Sequence, residues 1–308
     1  MPNVEIHRRL GERDISAIVD LVKAAEAVDQ HKALEDHAWI DLVQGGRKGV
    51  LGLVAKSSHS DAVVGYAQIS KGTNNSWAIE YVIHPKNRDN PEIGKKLLLS
   101  GLEQIQSQGG GHVHLWIAKP TETSDLICTQ AGLSRGRDLF QMRRPLPLED
   151  ELQTDSLPTR PFTIGQDEEN WLKLNNDAFS WHPEQGDWDL ATIQNREEQS
   201  WFDPEGFLLH EQHGKLAAFC WTKIHTDVDP NIGEIYVIAV DPNLRGQKLG
   251  RSMCITGLNY LSTQGLTLAM LYVESTNQPA LTLYNHLGFT IDHIDRAYVG
   301  DVPPLRIL

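Results

Sequence analysis

Two hydrophobic patterns alternate along the chain, and together they predict an α/β protein. Nearly continuous apolar runs at residues 235–240 and 268–274 are typical of buried strands. Between them, apolar residues recur at helical spacing until Gly265 ends the pattern. The apolar face of this helix carries Leu249, Met253, Leu258 and Leu261. We therefore expect an α/β fold with a mixed sheet.

The same order of elements occurs twice, which predicts an internal duplication. Each copy runs from a strand through His-Pro or Asp-Pro into a loop, an amphipathic helix, a second strand and a second helix. Pro85 and Pro242 correspond at an offset of 157 residues. Between the copies, residues 145–161 contain four prolines and an acidic run. We predict a first domain at residues 1–145, a linker at 146–160 and a second domain at 161–308.

Charge and apolar content argue against several classes of protein. With 28 basic and 41 acidic residues, the formal net charge of -13 disfavours nucleic acid or an anionic membrane as a partner. No apolar run approaches the roughly 20 residues of a membrane-spanning helix, and the first residues lack the pattern of a secretory signal. Three scattered cysteines, Cys128, Cys220 and Cys254, fit a reducing compartment. We expect a cytoplasmic enzyme that acts as a monomer on a small molecule.

Residues 234–250 have the layout of an anion site. An apolar strand ends in Asp-Pro and runs through an Arg-Gly turn into the helix that begins near Leu249. The first turn of a helix has unpaired N–H groups and a partial positive charge, so it attracts phosphate. After the next strand, Asn277 is placed to cap a second helix.

Together these segments resemble the acetyl-CoA site of the GNAT N-acetyltransferases. The resemblance rests on RGQKLG after one strand and NQPALTLYNHLGF after the next. It implies tandem GNAT domains, acetyl-CoA as cosubstrate, and a break between the two central strands that admits the pantetheine arm. The pantetheine would meet Ile238, Ala239 and Val240. The pyrophosphate would meet Arg245, Gly246, Gln247, Lys248, Leu249, Gly250 and Arg251.

The loop departs from the family pattern at Lys248, where the family usually has Gly. A lysine still supplies an N–H group and adds a positive charge for phosphate. The departure is tolerable if the backbone at this position avoids positive φ, which favours glycine. We therefore expect a negative φ at Lys248.

Acetyl transfer to an amine needs a base for the amine proton, a donor for the developing oxyanion and an acid for the departing thiolate. Glu234 is the candidate base, acting through one water, because it begins an otherwise apolar strand. The ordinary alternative is an exposed acid at a strand edge. The resemblance implies Tyr284 as the acid, and Tyr298 is a second candidate. A backbone N–H of Ala239 or Val240 would polarise the carbonyl.

The first copy lacks the proposed catalytic groups. At the positions that correspond to Glu234 and Tyr284 it has Trp77 and Cys128. The loop before its helix contains Pro91, which offers no N–H group to a phosphate. We predict a catalytically silent first domain that still holds acetyl-CoA along Tyr81, Val82 and Ile83.

The acceptor is suggested by residues 175–188 and 201–209, which are rich in aromatic, acidic and turn-forming residues. Such segments suit a loop that closes over a polar ligand. They resemble the substrate segments of a two-domain branch of the GNAT family that acetylates the cysteinyl amine of a small thiol sugar. That resemblance implies ligand contacts from Glu35, Glu184, Lys223, Glu234 and Tyr284. The ordinary alternative is that Glu35 and Glu184 are solvated acids and that Lys223 is a charge at a strand edge.

Two other functions stay open on the sequence. One is a GNAT enzyme that acts on another small amine or on a protein N-terminus, and the other is a sensing module that holds acetyl-CoA without turnover. No metal is predicted. His112 and His114 alternate on one strand face without further ligands at zinc spacing, and His182 is interpreted as a turn or packing residue.

Overall fold

The computed structural model describes residues 3–7, 9–29, 31–45, 49–58, 60, 62–72, 75–180, 185–226 and 228–305. The chain divides into two compact units. Unit 1 contains Met1–Leu139 together with His293–Leu308, and unit 2 contains Phe140–Asp292.

In chain order the elements are β1 (Asn3–His7), α1 (Glu12–Asp29), α2 (Asp36–Val43), β2 (Val50–Lys56), β3 (Val63–Lys71), β4 (Ser76–Ile83), α3 (Pro91–Ser107), β5 (Gly111–Ala118), α4 (Glu122–Gln130) and β6 (Ser134–Pro145). They continue with α5 (Asp150–Gln153), β7 (Arg160–Pro161), α6 (Glu168–Ala178), α7 (Leu190–Glu197), β8 (Phe207–Gln212), β9 (Lys215–His225), β10 (Ile232–Val240), α8 (Leu249–Thr263), β11 (Leu268–Glu274), α9 (Gln278–His286) and β12 (Thr290–Val302). The predicted mixed α/β arrangement is confirmed.

The two units have matching central elements. In unit 1, β1 to β4 are antiparallel neighbours, β4 runs parallel to β5, and β5 pairs with residues 295–302 of β12. In unit 2, β7 to β10 are antiparallel neighbours and β10 runs parallel to β11. A 3-10 turn follows each central strand, at Pro85–Asn87 and at Pro242–Leu244, and leads into α3 or α8. This repetition agrees with the predicted duplication.

Each parallel pair of central strands separates after a short ladder. β4 pairs with β5 only over residues 76–79, and β10 pairs with β11 only over residues 233–235. Farther along, residues 237–240 of β10 pair with β9, and no pairing with β11 is found in the described part of the chain. One edge of the β10 backbone is therefore available to a ligand, as the break predicted between the strands requires.

Unit 2 has a core on each face of its sheet. One face packs on α8 and α9, and the other carries an aromatic cluster beneath α6 and α7. Gly257 brings α8 close to β9, because a Cβ at this position would lie 2.5 Å from the Sγ atom of Cys220. In unit 1, α3 and α4 cover one face and α1 and α2 cover the other.

The segment predicted as a linker is part of unit 2 and packs into its core. Leu146 and Leu148 are buried in the same cluster as α8, and α5 contacts that helix. The prolines and acidic residues of this segment indicated a linker, so the burial of its two leucines was not predicted. The structure divides the chain at 139/140 and 292/293, so its units differ in extent from the domains expected at 1–145 and 161–308, which stay a prediction. Among the described residues, no helix combines the length and apolar character needed to cross a membrane.

Candidate active site

Glu234 lies on β10, just where this strand is about to separate from β11. Its neighbours in the ladders are Lys223 on β9 and Met270 on β11. The residue is only 6% exposed, so the alternative of an exposed acid at a strand edge is wrong. Its Oε2 atom lies 2.8 Å from Nε2 of His225. A buried carboxylate needs hydrogen bonds, and the imidazole supplies one partner.

Beyond Glu234, a bulge interrupts the pairing of β10 with β9. The register shifts between Ile235 and Val237, which leaves Tyr236 as the extra residue. The Tyr236 ring lies 5.1 Å from that of Trp201, and the Nζ atom of Lys223 lies 4.5 Å from the Trp201 centroid. Such a separation suits a cation–π contact. Lys223 and Glu234 are directly opposite each other in the ladder of β9 and β10, so their side chains point to this same side of the sheet.

The loop after α6 is held at one end by two asparagines. Asn175 donates to the carbonyl of Gln185 (2.9 Å) and accepts from the Gln185 amide (3.2 Å). Asn176 donates to the carbonyl of Trp188 (2.8 Å) and accepts from its N–H (3.1 Å). Gln185 and Trp188 are thus both held by side chains of α6. Glu184, the predicted acceptor ligand in this loop, and His182 lie outside the described residues.

The start of α8 has the open first turn that an anion requires. Lys248 occupies the N-cap and makes no capping hydrogen bond with its side chain. An ammonium group has no lone pair to accept from an N–H, so it cannot cap the helix. The first turn contains no acidic residue. Free N–H groups and the positive end of the helix dipole therefore remain available to a ligand.

The expectation of a negative φ at Lys248 is wrong. Its φ is 62° and its ψ is 9°, in the left-handed region. Gly246 is also left-handed, with φ of 85°. Two left-handed residues with one residue between them turn the chain from the 3-10 turn into α8, and the loop keeps this shape although one of them has a Cβ. The conformation therefore costs on the order of 1 kcal/mol at Lys248.

The remaining loop residues differ in their environments. Arg245, Gly246, Gln247 and Lys248 are exposed, and in the described part of the chain Arg245 has no hydrogen bond or ion pair. Arg251 forms an ion pair with Asp155. Leu249 is buried. A Cβ at Gly250 would meet nothing closer than the Val240 side chain, at 3.7 Å. Space therefore lies beside the first turn of α8, next to the backbone edge of β10.

Tyr284 lies on α9 in the apolar core beneath α8. It is 7% exposed, and its ring lies 5.8 Å from the Phe289 ring. Ile238 and Val240 pack against the same cluster, so the tyrosine lies on the side of the sheet that faces α8 and α9. Burial, with the neighbouring thiols of Cys254 and Cys220, raises the pKa of Tyr284 well above its ordinary value. Its hydroxyl therefore stays protonated at neutral pH and is suited to donate a hydrogen bond.

Tyr298, the second candidate acid, belongs to unit 1 rather than to unit 2. It is fully buried among the core residues of that unit, and its hydroxyl donates to Asp125 (2.6 Å). Burial and this carboxylate raise the pKa of Tyr298 to about 12. Its hydroxyl therefore already has a partner within unit 1. Chain order alone, which places it after α9, could not reveal this division of β12.

In unit 1, the counterparts of the proposed catalytic residues are core residues. Trp77 is 1% exposed and its Nε1–H donates to the carbonyl of Gly110 (3.0 Å). Cys128 is buried on α4, and burial raises the pKa of its thiol to about 12. Glu35 precedes α2, and its N–H donates to the carboxylate of Glu80 (2.9 Å). The predicted acetyl-CoA residues Tyr81, Val82 and Ile83 lie at the end of β4, past its ladder with β5.

Three residues of the unit 2 site were not selected from the sequence. His225, Trp201 and Tyr236 all lie around Glu234 or Lys223. The alternation of a strand could have identified His225, because it is two residues from Lys223 and thus on the same face. The bulge at Tyr236 left no signal in the hydrophobic pattern. Among the described residues, no group of three or more His, Cys, Asp or Glu side chains is arranged to hold a metal ion.

Sequence comparison identifies relatives over almost the whole chain. Residues 169–289 match the model of the Acetyltransferase (GNAT) family. A protein named Mycothiol acetyltransferase from Acidimicrobium ferrooxidans is 40% identical over 298 residues, covering 94% of this chain and 95% of the relative. A protein of the same name from Thermomonospora curvata is 36% identical and covers 96% of each.

Structural comparison identifies the same architecture. A GCN5-related N-acetyltransferase from Sphaerobacter thermophilus superposes with a TM-score of 0.72 at 20% identity, covering 99% of this chain and 98% of that one. A tandem GNAT protein from the clavulanic acid biosynthesis pathway superposes with a TM-score of 0.69 at 15% identity, covering 98% and 100%. At these identities the likeness establishes the fold alone, and the fold is that of tandem GNAT domains.

Proposed function

The chain belongs to the mycothiol acetyltransferases, a family of GNAT acyltransferases, and we propose that it acetylates the cysteinyl amine of Cys-GlcN-Ins to give mycothiol. The acetyl donor in this proposal is acetyl-CoA. The observation that carries the mechanism is Glu234, a buried carboxylate on β10 where this strand separates from β11. Action as a monomer in the cytoplasm stays a prediction.

The residues at the start of α8 suit the pyrophosphate of acetyl-CoA. The first-turn N–H groups lack a side-chain cap, and Lys248 and Arg245 add positive charge at the surface. Gly250 leaves space for a close approach. The unpaired edge of β10 offers the backbone groups of Ile238 and Val240 to the pantetheine amides, whereas the register with β9 turns those of Ala239 toward β9, contrary to the expectation for this residue. When bound here, acetyl-CoA would supply the acetyl group as an activated thioester.

The chain's own groups then divide the proton transfers. Glu234 accepts a proton from the acceptor amine through one water, because a carboxylate is a base near neutral pH. The backbone N–H of Val240, which points away from β9, donates to the oxygen on which negative charge develops. The amine nitrogen would bond to the thioester carbon as the C–S bond breaks, and the sulfur would leave as a thiolate. Tyr284 donates a hydrogen bond to this thiolate, and its raised pKa means that it keeps its own proton.

The acceptor lies, in this proposal, on the face of the sheet that carries Lys223, Glu234 and Tyr236. A thiol sugar offers many hydroxyl groups, and Lys223 supplies donors for their oxygens. The Nζ atom of Lys223 lies 4.5 Å from the Trp201 ring centroid and 5.7 Å from that of Tyr236, and these two contacts position the ammonium group. Glu184 and Glu35 stay predicted acceptor ligands.

The proposal is tested by incubating the protein with acetyl-CoA and Cys-GlcN-Ins, and in parallel with simple amines, a dipeptide and a protein N-terminal peptide. We expect mass spectrometry to find acetylation of the cysteinyl amine with a kcat/KM at least about tenfold above that of the other amines. Equal rates for all acceptors would overturn the assigned substrate and leave the acetyltransferase. Faster acetylation of the peptide would favour a protein N-terminus as the acceptor.

A further inference from the structure

We propose that His225 is a positioning residue that holds the Glu234 carboxylate for proton transfer. The proposal rests on the proposed function, in which Glu234 is the base. The imidazole Nε2–H donates to Oε2 of Glu234, so that Oε1 is left to accept the proton of the amine through water. His225 itself contacts neither substrate in this arrangement and acts through the carboxylate.

The contact between the two side chains is close and shielded from water. The Nε2 and Oε2 atoms are 2.8 Å apart, and the two side chains are 13% and 8% exposed. A hydrogen bond between a carboxylate and an imidazole is stronger in such a site than at a surface, because water competes less for either partner.

The backbone fixes this geometry through the ladder of β9 and β10. His225 pairs with Ile232, and Glu234 pairs with Lys223, so the two side chains form a diagonal pair on one face of the sheet. Both strands belong to the core of unit 2, so the histidine does not depend on a mobile loop for its position. The pairing of β9 with β10 ends at His225, so its imidazole lies at the end of the ladder, beside the Glu234 carboxylate.

A free glutamate side chain has three rotatable bonds and two equivalent oxygens. A hydrogen bond from His225 to Oε2 selects one rotamer of Glu234 and thereby orients Oε1. Less conformational entropy is then lost when Glu234 meets its proton donor. The same donor offsets the cost of burying the carboxylate. The contact with His225 thus explains how the buried Glu234 carboxylate is both stabilised and oriented for proton transfer.

The test compares His225→Leu and His225→Gln in the full chain. Leucine fills the space without a donor, and we expect kcat for Cys-GlcN-Ins to fall on the order of 10²-fold, with the KM for acetyl-CoA unchanged. Glutamine restores an N–H donor at similar reach, and we expect kcat within about tenfold of the parent. Equal losses in both variants would overturn the role as a donor.

A second comparison separates positioning from a general structural effect. In a chain that already carries Glu234→Gln, adding His225→Leu should lower the residual rate less than about twofold, because residues that act as a unit are not additive. A full additional loss would overturn the proposal. High activity of Glu234→Gln alone would instead reject the proposed base, so the two failures are distinguishable.

A matched control uses another buried imidazole of unit 2. His210 on β8 is 5% exposed, and its Nδ1 lies 2.8 Å from the carbonyl of Pro158. His210→Leu should lower the thermal midpoint of unfolding without changing kcat per folded molecule. If His210→Leu lowers kcat as much as His225→Leu, loss of a buried imidazole alone accounts for the effect and the proposal fails.

Discussion

The helices that follow the central strands, α3 in unit 1 and α8 in unit 2, differ in the capping and the charge of their first turns. At α3, Asn90 accepts from the N–H of Glu92 (3.2 Å), Pro91 has no N–H, and Glu92 adds a negative charge. At α8, Lys248 cannot accept and the first turn has no acid. The strand, the 3-10 turn and the helix are the same in both units. A few residues at the helix start therefore decide whether this layout can receive an anion.

The nearby arginines and glycines show the same contrast. Arg88 forms a bidentate ion pair with Asp29, with both distances 2.5 Å, whereas its counterpart Arg245 has no ion pair with any described residue. A Cβ at Gly94 of α3 would lie 3.2 Å from the Ile83 side chain, whereas one at Gly250 would have more room. In unit 1, side chains of the same unit thus bind the arginine and an N–H group at the helix start. The corresponding groups of unit 2 stay available to a ligand. Acetyl-CoA binding along residues 81–83 stays a prediction.

The largest expected effect concerns Glu234 and its counterpart Trp77. We expect Glu234→Gln to lower kcat by about 10²- to 10⁴-fold, because an amide cannot accept the proton. Trp77→Phe removes the hydrogen bond to Gly110 and should cost about 1–3 kcal/mol of unfolding free energy, with kcat unchanged. Steady-state kinetics and urea unfolding of both variants check this. A loss of kcat in Trp77→Phe equal to that in Glu234→Gln would contradict a silent unit 1.

The next effect concerns the glycines of the two helix starts. We expect Gly250→Ala to raise the KM for acetyl-CoA by about tenfold, because the added methyl group occupies space beside the backbone that a pyrophosphate approaches. Its unfolding free energy should change by less than about 1 kcal/mol. Gly94→Ala is the control, and it should leave this KM unchanged. An unchanged KM in both variants would remove α8 from the acetyl-CoA site.

A smaller effect is expected on stability from the N-cap residues. Asn90→Ala should lower the unfolding free energy by about 1 kcal/mol, because the Glu92 N–H loses its acceptor. Lys248→Gly should raise it by up to about 1 kcal/mol, because glycine adopts positive φ without strain. Urea unfolding of each variant measures these changes. A loss of stability in Lys248→Gly would show that the lysine side chain stabilises the loop.

The smallest effects are opposite dependences of stability on pH. Burial alone would raise the pKa of Asp125 in unit 1, but hydrogen bonds from Tyr298, Arg135 and Arg296 outweigh it and lower the pKa to about 2. The stability that this carboxylate contributes is present above its ordinary pKa of 3.8 and is lost as the pH falls toward about 2. Asp125→Asn should therefore be less stable than the parent at pH 7, and the difference should shrink in acid.

Unit 2 offers the reverse case at Glu197. Burial and the neighbouring Glu168 raise the pKa of Glu197. A raised pKa means that the folded state binds the proton more tightly, so this contribution is present below the ordinary value of 4.5 and is lost as the pH rises through the raised pKa. Glu197→Gln should be more stable than the parent at pH 7 and equal to it in acid. Urea unfolding between pH 3 and pH 7 checks both signs, and parallel curves for parent and variant would contradict them.

Local signals predicted the elements of unit 2 well. The strand at residues 268–274 and the helix that follows Leu249 agree with the structure, and Asn277 caps α9 by accepting from the Ala280 N–H (3.2 Å). These features depend on neighbours in the chain, where periodicity and capping act. The resemblance added the prediction of an acetyl-CoA site, which periodicity alone could not supply.

Features that depend on distant contacts were not predictable in the same way. The contact of His225 with Glu234 requires the register of β9 against β10. The left-handed Lys248 is held by the loop around it, against its own preference. Leu146 and Leu148 are buried only because α8 and its neighbours in unit 2 present a matching apolar surface. In each case tertiary structure overrides the local pattern.

The discontinuity of unit 1 has a consequence for synthesis on the ribosome. Unit 1 includes residues 293–305, which are translated after every residue of unit 2. Residues 295–302 pair with β5, so that strand lacks this neighbour throughout most of translation. The unit that is begun first is therefore completed last, in contrast to the usual order in which domains fold from the N-terminus. A released chain that ends at residue 292 should contain every residue of unit 2 but an incomplete unit 1.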